Sequence, residues 1–282
     1  MRLPTGDSLM EDIRIAAVTC LSIAGDVDRN LGVTVQWTKN AHAQGASIVC
    51  FPELGLSGYC LDRSICARAA GAYEAAVYTL RQLAEDLGIV ILAGTVRQDD
   101  VTGALFADHI VFAPDQPITA YTKLHIAPPE KGLFTPGDRI PVFKANGVVF
   151  GIQLCYDAHF PELSTCMAMD GADILFVPHA SPRGTSKEKF ESWMRHLPAR
   201  AYDNGVFVVA CNQSGKNGAG LDFPALAVAL GPSGEVVGKE TTPEGMVVTD
   251  LSKNMLNDVR SHRMRYFLPN RRPDLYARHG KS

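Results

Sequence analysis

Short apolar runs of strand length recur along the chain, separated by longer stretches whose apolar residues return at helical spacing. That alternation constrains the fold more than any other feature, because strands interleaved with helices build a sheet covered on its faces. Ile13–Cys20, Ser47–Phe51, Ile89–Val96, His109–Ala113, Val148–Leu154, Ile174–Val177 and Val206–Cys211 read as strands. Ala225–Leu230, Glu235–Gly238 and Met246–Thr249 follow, punctuated by turns at Pro232-Ser-Gly and Pro243-Glu-Gly. Helices are expected over Val27–Gln44, with Leu31, Val35 and Thr38 on one face, over Ala75–Leu87, near Pro161–Met169 and over Lys187–Tyr202. Many of the strands are apolar throughout rather than alternating, as expected when both faces of a sheet are buried. The 282 residues contain no Gly/Ser-rich linker, repeat or low-complexity tract, which points to one α/β domain. It is expected to run from Ile13 to the end, after a flexible segment 1–12, with a C-terminal arm from about residue 260.

Hydrophobic residues make up 46% of the chain, enough for a sizeable core, and the net charge of −3 gives no general attraction for nucleic acid or anionic membrane. Basic residues gather only near the end, at Arg260, Arg263, Arg265, Arg271, Arg272, Arg278 and Lys281, and read as a solvated tail or a subunit-contact arm. No apolar run approaches the ~18 residues of a membrane span. The opening MRLPTGDSLMEDI lacks the apolar core of a secretory signal. Seven scattered cysteines without a C-x-x-C pair suggest a reduced, cytoplasmic protein, and neither metal nor organic cofactor is expected.

Five polar residues fall at or just past the carboxyl ends of apolar runs: Glu53, Lys123, Cys155, His179 and Asn212. Ligands of open α/β sheets bind at that end. Alone, Cys155 is core filler like other cysteines, Glu53 a turn cap, and Lys123 and Glu130 solvated charges. Context changes the reading of Cys155. A strand ends there, and Pro161-Glu162 opens a helix a few residues later, so the turn exposes the thiol above the sheet edge. A thiol needs a base to become the reactive thiolate. Glu53, Lys123 and Glu130 supply a base, a cation for a developing oxyanion and a second acid.

FPELGLSGY (51–59), YTKLHIAPPEKGLFTPGD (121–138) and CYDAHFPE (155–162) resemble the three catalytic motifs of the nitrilase superfamily of carbon–nitrogen hydrolases. LFVPHASP (175–182), Trp193, PARAYDNGVFVVACNQSG (198–215), GPSGEVV (231–237) and RRPDLYARHG (271–280) extend the resemblance over nearly the whole chain. It implies a four-layer αββα sandwich that commonly pairs as a homodimer. It makes Glu53 the general base, Cys155 the nucleophile that forms a thioester, Lys123 the oxyanion cation and Glu130 the second glutamate. Tyr156, through its backbone N–H, and Tyr59, His179, Ala180 and Ser181 would bind substrate or oxyanion. Arg183 stands in the same region as an anion contact or a solvated charge.

The family's branches differ just after the nucleophile. Nitrilases usually read Cys-Trp-Glu, whereas Cys155-Tyr156-Asp157 is similar to amide-cleaving branches. His159 occupies the position where branches acting on ω-amides of dicarboxylic acids often carry Arg, which points away from a carboxylate-bearing substrate. Two segments depart from the family pattern: the short Ile-Ala-Pro-Pro link before Glu130, and DFPALA at 222–227. The expected activity is hydrolysis of a small aliphatic or ω-substituted amide to acid and ammonia. An N-carbamoyl amine or amino acid is the alternative substrate, and a nitrilase, an acyl transferase and a silent scaffold are further ones.

Overall fold

Both faces of the first sheet are covered, and its strands sort their side chains accordingly. In β1 (Ile13–Thr19), Ile13, Ile15 and Ala17 face one hydrophobic cluster while Ala16 and Val18 face another. β2 (Ile48–Cys50) and β3 (Val90–Gln98) repeat the division, with Ile48, Cys50, Val90 and Leu92 on one side and Val49, Ile91 and Ala93 on the other. The period of two is present, but with both faces apolar it leaves no polar alternation in the sequence.

The computed structural model describes residues 10–276. β4 (Leu105–Phe112), β5 (Thr119–Thr122) and β14 (Gly245–Leu251) complete the first sheet, in the order β14-β1-β2-β3-β4-β5. β1 runs parallel to β2 and antiparallel to β14, in a register from Ile13↔Leu251 to Thr19↔Gly245. The second sheet contains β6 (Val142–Ala145), β7 (Val148–Ile152), β8 (Ile174–His179), β9 (Phe207–Asn212), β12 (Ala227–Leu230) and β13 (Val236–Glu240), in the order β13-β12-β9-β8-β7-β6. A small ribbon pairs β10 (Gly215–Lys216) with β11 (Asp222–Phe223). The two sheets meet where β1 and β14 lie against β9 and β12.

Helices form the outer layers. α1 (Val27–Ala43) and α3 (Tyr73–Leu87) cover the first sheet, through Ala41, Leu80 and Ala84. α4 (Pro161–Met169) and α6 (Leu197–Asn204) cover the second, through Leu163, Met167, Leu197 and Ala201. The result is the four-layer αββα sandwich. α2 (Arg63–Ala70) and α7 (Lys253–Arg260) start at side-chain caps, Asp62 and Ser252, and α8 (Pro273–Tyr276) lies near the end. None of the described helices is long and apolar enough to cross a membrane.

Three expectations need correction. The Lys187–Tyr202 helix is two helices, α5 (Ser186–Trp193) and α6, separated at Met194–His196. Pro198 explains the break, since it has no N–H for the carbonyl four residues back and is accommodated in the first turn of a new helix. In α1 the deeply buried face is Val27, Asn30, Thr34, Thr38 and Ala41, with Leu31 and Val35 only half-buried. Asn30 is buried because it works as a clamp: its amide donates to the carbonyls of Ile23 and Leu56 and accepts from the Ile23 N–H. Arg260 is no solvated charge. It pairs with Asp173 at 2.7 Å, both side chains buried, and also donates to the Gly205 and Ala172 carbonyls. Arg278 and Lys281, and residues 1–9 of the expected flexible segment, lie outside the described residues. Met10, at the inner end of that segment, is buried.

Candidate active site

Glu53 stands three residues past the end of β2, on a loop pressed against β3. The Leu56 N–H donates to the Gly94 carbonyl at 2.8 Å, and a Cβ at Gly94 would collide with the Leu54 backbone nitrogen and crowd the Pro52 carbonyl. Only glycine permits this approach. Gln213, just past β9, donates to the Glu53 carbonyl at 2.8 Å and ties the loop to the second sheet.

Lys123 follows β5 and is buried. Its ammonium donates to Glu53 Oε1 at 2.7 Å and to Glu130 at 2.8 and 3.0 Å. The other Glu53 oxygen accepts the Ala180 N–H at 3.0 Å. Glu130, buried at the end of a 3-10 turn (Pro128–Glu130), also accepts from the Tyr59 hydroxyl at 3.2 Å and the Ala127 N–H at 3.1 Å. Two carboxylates thus share one cation away from water. Burial lifts the Glu53 carboxyl to about 7, the nearby Glu130 adding to the rise and Lys123 opposing it. For Lys123, burial disfavours the ammonium, but the charges of Glu53 and Glu130 outweigh it and raise the pKa.

Cys155 begins a 3-10 turn (Cys155–His159) between β7 and α4 and adopts φ +46°, a conformation costing a non-glycine residue ~1–3 kcal/mol. Asp157 holds that turn. Its fully buried carboxylate accepts from the Leu154 N–H (3.0 Å), the Tyr121 hydroxyl (2.7 Å), the His125 N–H (2.8 Å) and the His125 ring Nδ1–H (2.7 Å). Tyr121 lies in β5 and Lys123 just past its end, two residues on and also buried, so the segment that carries the buried cation also braces the turn. Burial raises the Cys155 pKa, and the charge of Glu53 raises it further, against Lys123 and the Ala180 N–H. At rest the sulfur is a thiol in need of a proton acceptor. Asp157→Asn is expected to lower kcat while sparing KM, and to cost about 1–3 kcal/mol of stability, because the amide NH₂ would confront donors. Steady-state kinetics and urea denaturation check both.

The remaining candidates divide. Ala180 joins the cluster through its backbone. Ser181 is positioned by Asn212, which accepts the Ser181 N–H at 2.8 Å and donates to its carbonyl at 3.1 Å. The side chain of Tyr156 meets His159 and Phe160 edge-on. His179 is buried and bonded to its own strand, its Nδ1 donating to the Val177 carbonyl at 2.7 Å, with the ring 4.3 Å from that of Trp193. Burial keeps it neutral. Arg183 is exposed, and its backbone N–H donates to the Asp222 carbonyl. Reading the motifs alone missed Tyr121, His125 and Gln213, and it missed Lys189 of α5. Lys189 and Trp193 are separated by four residues and so share one face of α5, the available signal for Lys189. Among the described residues, no group of three or more His, Cys, Asp or Glu is placed to hold a metal ion.

The carbon-nitrogen hydrolase family model matches residues 14–261. A nitrilase of Pyrococcus abyssi is 29% identical, with 89% of this chain and 94% of that protein covered. An N-carbamoylputrescine amidase of Arabidopsis thaliana is also 29% identical, with 89% and 90% covered. Among solved structures, a variant of the amidase from Nesterenkonia sp. AN1 superposes with a TM-score of 0.81 at 28% identity over 99% of both chains. It shows covalent addition of the acetamide moiety of fluoroacetamide at the active-site cysteine.

Proposed function

Since the chain belongs to the carbon–nitrogen hydrolase family, we propose that it is an amidase that hydrolyses a small carboxylic amide to acid and ammonia through a thioester on Cys155. The observation that carries this reading is the buried Glu53–Lys123–Glu130 cluster, in which Lys123 bridges the two carboxylates and the other Glu53 oxygen accepts the Ala180 N–H. Glu53 takes the thiol proton, and the sulfur attacks the carbonyl carbon. The oxyanion that forms is stabilised by the Lys123 ammonium and the Tyr156 N–H, a charge present in the transition state and absent from the substrate. The carbon–nitrogen bond then breaks. Glu53 returns its proton to the departing nitrogen, with Glu130 and the Tyr59 hydroxyl orienting that nitrogen. Water then gives a proton to Glu53 and attacks the thioester; as the acid leaves, Glu53 returns that proton to the sulfur, so the thiol and the base are restored and one amide and one water yield one acid and one ammonia.

Release of ammonia from a panel of amides, with an acyl adduct on Cys155 found by mass spectrometry, tests the proposal. An adduct on another cysteine would sink it. Hydrolysis of an N-carbamoyl amine is the second reading, supported by the Arabidopsis relative, and adding N-carbamoyl amines to the panel separates the two. The reading places one domain from Ile13 onward in a reducing cytoplasm, supported by seven free thiols. It also pairs two subunits. Exposed Tyr202 and Phe267, their rings 5.5 Å apart on the surface, support that pairing, which sedimentation would test.

The Glu53 pKa sets the pH dependence. With the carboxyl raised to about 7, the base is protonated at lower pH and ionised above. We expect kcat/KM to climb tenfold per pH unit below 7 and to level above it. Glu53→Gln should remove that limb, and a pH–rate profile of both proteins decides the matter.

A further inference from the structure

Lys189 lies outside every motif legible in the sequence, yet it reaches the same site. Its ammonium donates to Ser181 Oγ at 2.7 Å and to the Pro182 carbonyl at 3.3 Å. Both acceptors are uncharged, and among the described residues no carboxylate approaches within the 4.0 Å of an ion pair. The side chain is half-buried, and burial pulls its pKa down. A line of contacts connects the two lysines. Lys123 holds one Glu53 oxygen, the other accepts from Ala180, Ser181 follows Ala180 in the chain, and Ser181 accepts from Lys189.

The two ends of that line differ in charge. Lys123 is neutralised by two carboxylates, so the end where the amine departs repels an anion. Among the described residues Lys189 has no counter-ion. A half-buried cation with neutral partners retains most of its attraction for an incoming carboxylate. His159, which stands where related branches often carry Arg, does not compete for that role: it is exposed, and burial followed by the charge of Arg200 holds its pKa below the usual histidine value.

Building on the amidase reading, we propose that Lys189 forms a carboxylate-binding subsite for the acyl part of the substrate. The preferred substrates are then monoamides of short dicarboxylic acids, and the missing arginine is replaced by a lysine from a different element.

The test compares the four- and five-carbon monoamides, succinamate and glutaramate, with the neutral amides butyramide and valeramide. The wild-type protein should favour the monoamides in kcat/KM. Lys189→Met should lower kcat/KM for monoamides about 10- to 100-fold more than for neutral amides, mainly through KM, the worth of one charge-assisted hydrogen bond. Lys189→Arg should restore much of the preference, and Lys189→Glu should shift it toward 4-aminobutyramide. Equal losses on charged and neutral amides would overturn the subsite, as would a wild-type preference for neutral amides. Trapped adducts separate this outcome from failure of the amidase reading. Acyl-Cys155 formed from both substrate types without charge preference removes the subsite alone, whereas absence of any adduct removes the amidase and the subsite together.

Discussion

Replacing Cys155 with alanine is expected to lower kcat by a factor on the order of 10⁵–10⁶, because the covalent route then has no nucleophile while its partners remain in place. Cys155→Ser should fall nearly as far. A hydroxyl is a poorer acid than a thiol, and Glu53 with its pKa near 7 is too weak a base to ionise it. Cys166→Ala and Cys211→Ala are the controls. Cys166 is exposed on α4, and the buried Cys211 donates weakly to the Cys50 carbonyl in the core between the sheets. Neither approaches Glu53 or Lys123, so turnover by both variants should stay within a few-fold of wild type. A comparable loss in either control would show that packing, rather than nucleophilicity, explains the effect at Cys155.

Lys123→Met should have the second largest consequence, and on two observables. Turnover should fall by at least ~10²–10³, the usual effect of losing one oxyanion donor, with KM changed much less. Stability should fall as well, by about 3–5 kcal/mol at neutral pH, because two buried carboxylates lose their shared cation. The pH dependence gives the sign. Glu53 is held at about 7 with the ammonium present and rises further without it, whereas its unfolded value lies near 4.5. A carboxyl whose pKa is raised on folding contributes fully below its unfolded value and loses that contribution as pH climbs through the folded one. The deficit in melting temperature relative to wild type should therefore be small near pH 5 and large by pH 8. A deficit independent of pH would mean that lost packing of the lysine stem dominates.

Much of this site was legible in the sequence because the fold places polar residues at strand ends, and apolar runs make strand ends visible. Glu53, Lys123, Cys155, His179 and Asn212 could all be located that way, and the motifs then gave the first three their expected parts. Position in the sequence could not separate His179, bonded to its own strand, from Asn212, which sets Ser181. Both end buried strands, and only the direction of the side chain distinguishes them. α2 and α7 escaped notice because each buries just two residues, too few to establish a helical period, although Asp62 and Ser252 are ordinary caps. β6 was missed for a similar reason: four residues on a sheet edge carry little pattern. Asp157 and Lys189 illustrate a different limit. Asp157 works across the sandwich on Tyr121 and His125, and Lys189 reaches back from a helix to the loop before it. No local period encodes such contacts.

The pairing of β1 with β14 has a consequence for how the polypeptide is made. Ile13 leaves the ribosome before its partner Leu251, which follows 238 residues later. At ~5–20 residues per second, roughly 10–50 s elapse during which one edge of β1 has no neighbour. Helices and the β2-β3-β4 side of the sheet can form during that interval, but the edge at β1 stays open, a row of unpaired N–H and C=O groups available to any other extended chain. A strand so far away in sequence is also the costliest kind to dock, since loop closure must precede the reward. Synthesis therefore leaves this edge uncovered until β14 emerges, and any truncation upstream of Gly245 makes that exposure permanent.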